Sequence, residues 1–108
     1  MTKHLSVADI RQRKDSPNKL VMSTAYDATF ASLLSSAGVD LLLVGDSLGM
    51  VIQGHDTTVP VTLEDMIYHT RAVRRGSTTA HVVGDLPFMS YRVSKEQALV
   101  SATRMLQE

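Results

Sequence analysis

Val39-Asp40-Leu41-Leu42-Leu43-Val44-Gly45-Asp46 is the stretch on which the fold turns. Leu41 to Val44 are apolar without a break, as expected of a short strand buried on both faces of a parallel sheet. A half-exposed strand would alternate. The ending Val44-Gly45-Asp46 returns as Val83-Gly84-Asp85, 39 residues later, after a further short strand expected over Ala80 to Val83. Between the two lies one helical pattern. Two consecutive strands joined by a single crossover helix are expected to be parallel neighbours. Their tips then stand roughly 5 Å apart.

The same alternation continues outward in both directions. Upstream, Asp27 caps an expected helix with Phe30, Leu33, Leu34 and Ala37 on its apolar face and Gly38 as its stop. Leu20 to Ser23 reads as a first strand. Residues 5–14 form a sparse helix candidate with Ser6 as N-cap, and Asp15-Ser16-Pro17-Asn18 is turn chemistry. Downstream, residues 45–60 hold Gly45, Gly49, Gly54, Pro60 and His55-Asp56-Thr57-Thr58, and read as one long functional loop. Thr62-Leu63-Glu64-Asp65 opens the crossover helix as a near capping box, with Leu63, Met66, Ile67, Thr70 and Val73 facing the core. Arg71, Arg74 and Arg75 suit the negative end of its dipole, and Gly76 ends it. Ser94-Lys95-Glu96-Gln97 reads as a second capping box, and Ala98, Ala102, Met105 and Leu106 hold a helical period up to Glu108 with no stop signal. The expectation is an α/β chain of about three βα units, cut within its last helix.

Composition removes several classes of function. Eleven Lys+Arg balance 11 Asp+Glu, which argues against a nucleic-acid binder with a basic face. The chain has no Cys, hence no disulfide framework and no Cys-ligated zinc or iron–sulfur site. It has no apolar run of about 18 residues. The charges at Lys3, Asp9, Arg11, Arg13, Lys14 and Asp15 argue against a secretory leader. A soluble, cytoplasmic chain that binds neither nucleic acid nor membrane is expected.

Chemistry concentrates at the two strand endings. Asp46 and Asp85 are expected at one sheet edge, where parallel α/β sheets bind ligands. Two carboxylates with no Cys nearby suit a hard cation such as Mg²⁺ that keeps positions open for substrate oxygens. Either Asp alone is more simply a turn cap; the matched pair, followed by the long loop, favours a site. Ser47 follows Asp46, and its hydroxyl and N–H are placed to meet a ligand carboxylate. It lacks a paired His and a G-x-S-x-G setting, so it is not read as a nucleophile. His55, His69 and His81 are scattered without ligand spacing and are expected to be structural. No G-x-G-x-x-G and no phosphate-loop motif occurs.

With these residues in view, the chain resembles the ketopantoate hydroxymethyltransferase family. The resemblance rests on Thr24-Ala25-Tyr26-Asp27, Leu43-Val44-Gly45-Asp46-Ser47-Leu48-Gly49-Met50 and Gln53-Gly54-His55-Asp56-Thr57-Thr58. Val59-Pro60-Val61-Thr62, Tyr68-His69-Thr70, Ala72-Val73-Arg74-Arg75-Gly76 and Asp85-Leu86-Pro87-Phe88-Met89 extend it over most of residues 20–108. It implies that residues 1–108 are the N-terminal portion of one (β/α)₈ barrel, a fold of about 250 residues.

The implied reaction moves a hydroxymethyl group from 5,10-methylenetetrahydrofolate to 3-methyl-2-oxobutanoate, giving 2-dehydropantoate for pantothenate biosynthesis. Magnesium assists by stabilising an enolate. Asp46 and Asp85 match metal ligands; Asp46, Ser47 and Asp85 match substrate contacts. The third ligating Glu, a substrate-binding Lys and the general-base Glu fall in family segments past Glu108, so no catalytic base is assigned within the chain. The family forms ring-like homo-oligomers.

Two other readings compete. Oxo-acid lyases and mutases of the phosphoenolpyruvate mutase/isocitrate lyase type also pair barrel-tip acids with Mg²⁺; the His55-Asp56-Thr57-Thr58-Val59-Pro60 segment favours the transferase. A non-catalytic truncated product, prone to self-association through uncovered apolar faces, is the other.

Overall fold

A computed structural model describes residues 4–108. Lys3, counted above among the charges against a leader, lies outside the described residues. Along the chain come α1 (Val7–Gln12), a 3₁₀ turn (Arg13–Asp15), β1 (Met22–Thr24), α2 (Ala28–Ser36), β2 (Leu41–Val44), α3 (Leu48–Val51), α4 (Leu63–Gly76), β3 (His81–Gly84) and α5 (Lys95–Gln107).

The three strands form one parallel sheet in the order β1-β2-β3, with Thr24 level with Leu43 and Val44 level with Gly84. The neighbouring strands and single crossover inferred from the repeated Val-Gly-Asp ending are therefore present. Period-two alternation turns Leu42 and Val44 onto the face that α4 covers, and both are fully buried with Met66, Val73 and Ala31. Leu41 and Leu43 turn the other way and stay partly exposed. Burial on both faces, expected from the unbroken apolar run, is thus met on the helix side only among the described residues.

Helix starts follow the sequence closely. The Ser6 and Thr62 hydroxyls accept from the N–H groups of Asp9 and Asp65, and each carboxylate accepts from its cap residue's N–H in return. Asp27 accepts from Phe30 N–H at 2.7 Å to start α2. At Ser94 the expectation is corrected. Its hydroxyl accepts from Gln97 N–H, but the Gln97 side chain accepts from Val93 N–H, so the reciprocal box does not close.

Two further corrections concern helices. The stretch 45–60 is not irregular throughout, because α3 turns within it and buries Leu48. In α2 the stripe Phe30-Leu33 is not the core face: these residues are 58% and 60% exposed, while Ala31 and Ser35 are buried. A buried serine explains why. Ser35 Oγ accepts from Thr78 N–H and Thr79 N–H, each at 3.1 Å, and from Ala80 N–H at 3.4 Å. It thereby satisfies the donors that lead into β3, which outweighs the apolar pattern.

The N-terminal end of the sheet, its base, is closed by the segment around α1. Leu5 N–H donates to Thr79 O, and His81 Nδ1 donates back to Leu5 O, each at 2.9 Å. His4 Nε2 donates to Ser77 O at 2.9 Å. Arg13 pairs with Asp40 at 3.2 Å, while the other Asp40 oxygen accepts from Val21 N–H. At the far side of the molecule Arg104 joins Glu64 and Glu108, which ties α5 to α4. No helix among the described residues is long and apolar enough to cross a membrane.

Candidate functional site

The opposite end of the sheet carries the candidate site. Parallel pairing sets Val44 level with Gly84, so Asp46 and Asp85 emerge together just past adjacent strand ends. Asp85 N–H donates to Val44 O at 3.0 Å, and Asp46 N–H donates to Asp85 Oδ2 at 3.3 Å. That second bond links the repeated acids across the sheet. It also gives the Asp85 carboxylate a modest turn role, while the Asp46 carboxylate has no hydrogen-bond or ion-pair partner among the described residues.

The two glycines of the repeat do different work. A Cβ on Gly45 would lie 3.1 Å from Ser47 Oγ and 3.5 Å from Asp85 Oδ2, so its bare Cα leaves room where these oxygens converge. A Cβ on Gly84 would instead lie 2.5 Å from Met105 Cε and 3.0 Å from Thr70 Oγ1. Gly84 is needed for the close approach of α4 and α5 behind the sheet. Only at the first glycine would a Cβ crowd the strand-tip oxygens.

Ser47 sits at the N-cap position of α3, yet its side chain makes no capping hydrogen bond. The hydroxyl bonds instead to Tyr26 OH at 2.7 Å. Tyr26 follows β1, and its carbonyl accepts from His69 Nδ1 of α4 at 2.7 Å. His69 is thus structural, as are His4 and His81 at the base. Below His69 on the same helix, the Thr62 N–H holds the Asp65 carboxyl below its ordinary range, with help from the Gln53 side chain.

An open depression of about 460 Å³ is lined by Asp46, Gly84, Asp85, Leu86 and Tyr91. A hollow of similar volume, about 450 Å³, lies behind the sheet between α4 and α5, beside Arg71, Arg74 and Met105. It collects no strand-tip acid, so the chemistry belongs to the first. The donor set there is hard oxygen throughout. No group of three or more His, Cys, Asp or Glu gathers among the described residues. The two acids alone are thus not a complete metal site, though carboxylate oxygens are donors of the hard kind that Mg²⁺ takes.

Sequence reasoning placed Asp46, Ser47 and Asp85, and the structure brings all three to one edge. Tyr26 and Tyr91 were not foreseen as neighbours of that edge. Tyr26 is placed by the observed register of β1 against β2, in which it follows its strand at the same height as Gly45. For Tyr91, which depends on the turn after Pro87, the sequence holds no signal.

Comparison with known proteins bears on the whole chain. Residues 4–108 match the family model described as ketopantoate hydroxymethyltransferase. A 3-methyl-2-oxobutanoate hydroxymethyltransferase of Anaeromyxobacter sp. (strain Fw109-5) is 54% identical over 110 residues, covering 98% of this chain and 36% of that protein. The proteins of the same name from Chloroflexus aggregans and Geobacillus thermodenitrificans are 56% and 54% identical, covering 95% and 94% of this chain. The chain spans 37% and 36% of their respective lengths.

Proposed function

The chain belongs to the ketopantoate hydroxymethyltransferase family, and from that premise we propose that it forms the N-terminal portion of an enzyme making 2-dehydropantoate. The enzyme transfers a hydroxymethyl group from 5,10-methylenetetrahydrofolate to 3-methyl-2-oxobutanoate. One observation carries this reading: Asp46, Ser47 and Asp85 converge past two adjacent parallel strand ends, on the edge where such sheets bind ligands. The family membership supports the transferase over the lyase and mutase reading, which rests on the paired acids.

Asp46 and Asp85 are the residues of this chain that would hold Mg²⁺. When bound, the ion supplies a Lewis-acid charge that makes the C–H beside the keto group easier to ionise. Asp46 and Ser47 border the oxo acid's place, with the Ser47 hydroxyl donating to its carboxylate, and Asp85 contacts the substrate as well. Gly45 keeps the approach to these oxygens open. The base that removes the proton comes from sequence outside these 108 residues, since Glu96 and Glu108 do not match the family's base.

The three βα units continue into a closed (β/α)₈ barrel. This accounts for the outer edges of β1 and β3, which pair with no other strand among the described residues. The assembled enzyme is homo-oligomeric, as the family resemblance implies, and a cytoplasmic location accords with the charged pattern of the chain's first residues. The chain by itself does not turn over. The test compares the full-length enzyme with the 108-residue chain, following 2-dehydropantoate with each substrate omitted in turn. Product is expected from the full-length enzyme alone, and only with oxo acid, folate and Mg²⁺ together. Carbon–carbon cleavage without folate would favour a lyase, and product from the short chain would refute the need for further residues.

A further inference from the structure

We infer that Tyr26 is a positioning residue for the proposed oxo-acid site: its phenol donates to Ser47 Oγ and so fixes the direction in which Ser47 donates. The inference rests on the placement of Ser47 at the substrate and adds a group that touches no ligand itself. A serine hydroxyl has one proton and two acceptor lone pairs, whereas an ionised carboxylate can only accept. To bind a carboxylate, Ser47 must spend its proton on the ligand, and its oxygen is then free to accept.

The surroundings supply the donor. Tyr26 OH is 2.7 Å from Ser47 Oγ, and a phenol is the more acidic partner. The cap position of α3 makes no competing use of the Ser47 side chain. Tyr26 is itself held from behind, because His69 Nδ1 donates to its carbonyl at 2.7 Å and Ala25 N–H donates to Leu43 O at 3.0 Å. The bond thus joins the ends of β1 and β2 through a serine that is open on its remaining side. With Tyr26 donating, the Ser47 proton is left for an acceptor other than the phenol, and Ser47 Oγ borders the same space above Gly45 as Asp85 Oδ2. Preorganising a donor in this way lowers the cost of ordering it when the ligand arrives.

The test is a double-mutant cycle in the full-length enzyme with Tyr26→Phe, Ser47→Ala and the pair, reading KM for 3-methyl-2-oxobutanoate and kcat separately. Tyr26→Phe removes only the hydroxyl. It is expected to raise KM about five- to tenfold, with kcat within about twofold, because the carboxylate contact is made equally in ground and transition states. Ser47→Ala is expected to raise KM at least as much, and the double variant to match Ser47→Ala. A wild-type KM in Tyr26→Phe, or a Tyr26→Phe effect that persists in full beside Ser47→Ala, would overturn the inference. A Ser47→Ala enzyme with wild-type KM would overturn the underlying placement of Ser47 as well, which separates the two failures. The split between KM and kcat separates positioning from general loosening of the β1 end: loosening would lower kcat as well as raise KM, and any part of it not routed through Ser47 would persist beside Ser47→Ala.

Discussion

At the base of the sheet Asp40 is matched on both oxygens, by Arg13 and by Val21 N–H, whereas at the tips Asp46 and Asp85 lie side by side with no ion-pair partner among the described residues. The base also spends three histidine and serine side chains, His4, Ser35 and His81, on backbone groups that would otherwise be stranded. The tips place two acidic residues, Asp46 and Asp85, on the lining of an open depression. A folded chain tolerates like charges together only where something other than stability favours them. The contrast assigns stability to one end and chemistry to the other, and each end is exposed to its own kind of mutation.

The sharpest break in that contrast comes from Asp46→Asn and Asp85→Asn in the full-length enzyme. Each is expected to lower kcat/KM about 100-fold or more, as removal of a metal ligand does. Neither is expected to lower the urea midpoint, because neutralising one of two adjacent carboxylates relieves repulsion. Parallel assays and urea melts decide the matter: a variant that loses stability and activity in proportion would move that acid to the structural side.

Ser35→Ala attacks the base. Three N–H groups lose their acceptor at a position that is 4% exposed, so the expected cost is about 2 kcal/mol. Activity per folded molecule should be unchanged. A lowered kcat with an unchanged melting curve would mean that the two ends are coupled.

These two predictions also mark what the sequence made legible. Strand order, helix starts and the strand-tip pair were readable because each has a local rule: an unbroken apolar run, a hydroxyl three residues before an acid, a repeated Gly-Asp ending. Ser35 was not readable. Its partners Thr78, Thr79 and Ala80 lie more than 40 residues away, and an apolar stripe at Phe30 and Leu33 pointed to the wrong face of α2. The same limit hid the distinction between Gly45 and Gly84, whose sequence settings match. One clears space for oxygens and the other for a methionine and a threonine, and only the packing of α4 and α5 separates them. The tie between Tyr26 and Ser47 needed the strand register first.

A third prediction concerns acid. The Thr62 N–H keeps the Asp65 carboxyl below its ordinary range, so the folded chain takes up that proton at lower pH than the unfolded chain. The capping box at the start of α4 therefore contributes its full share above about pH 4 and loses it as pH falls through the folded value. Glu64 and Glu108 are lowered in the same sense by Arg104, at exposed positions where solvent screens most of the gain. Asp65→Asn is expected to cost about 1 kcal/mol at pH 7 and less as the pH is lowered to about 3. Urea titrations at both values measure the difference, and an equal cost at the two would show that the carboxylate charge is not what caps the helix.

The smallest effect tests whether the tips also hold backbone strain. Met89, in the turn that follows Asp85, has φ of 63°, a left-handed conformation that costs a side-chain-bearing residue about 1–2 kcal/mol. Ser90 closes this turn by donating from N–H and Oγ to Pro87 O, at 3.1 and 2.7 Å, so the local geometry is held by bonds that survive substitution. Met89→Gly removes the strain but frees the unfolded chain by about 0.5–1 kcal/mol, which leaves a net gain of roughly 0.5 kcal/mol. Met89→Ala keeps the strain and gains nothing, so comparing the two separates backbone from side chain. If glycine stabilises and alanine does not, the turn beyond Asp85 stores strain that the base shows at no described residue. If both destabilise alike, the half-exposed Met89 side chain is packing the turn, and the difference between the two ends rests on charge alone.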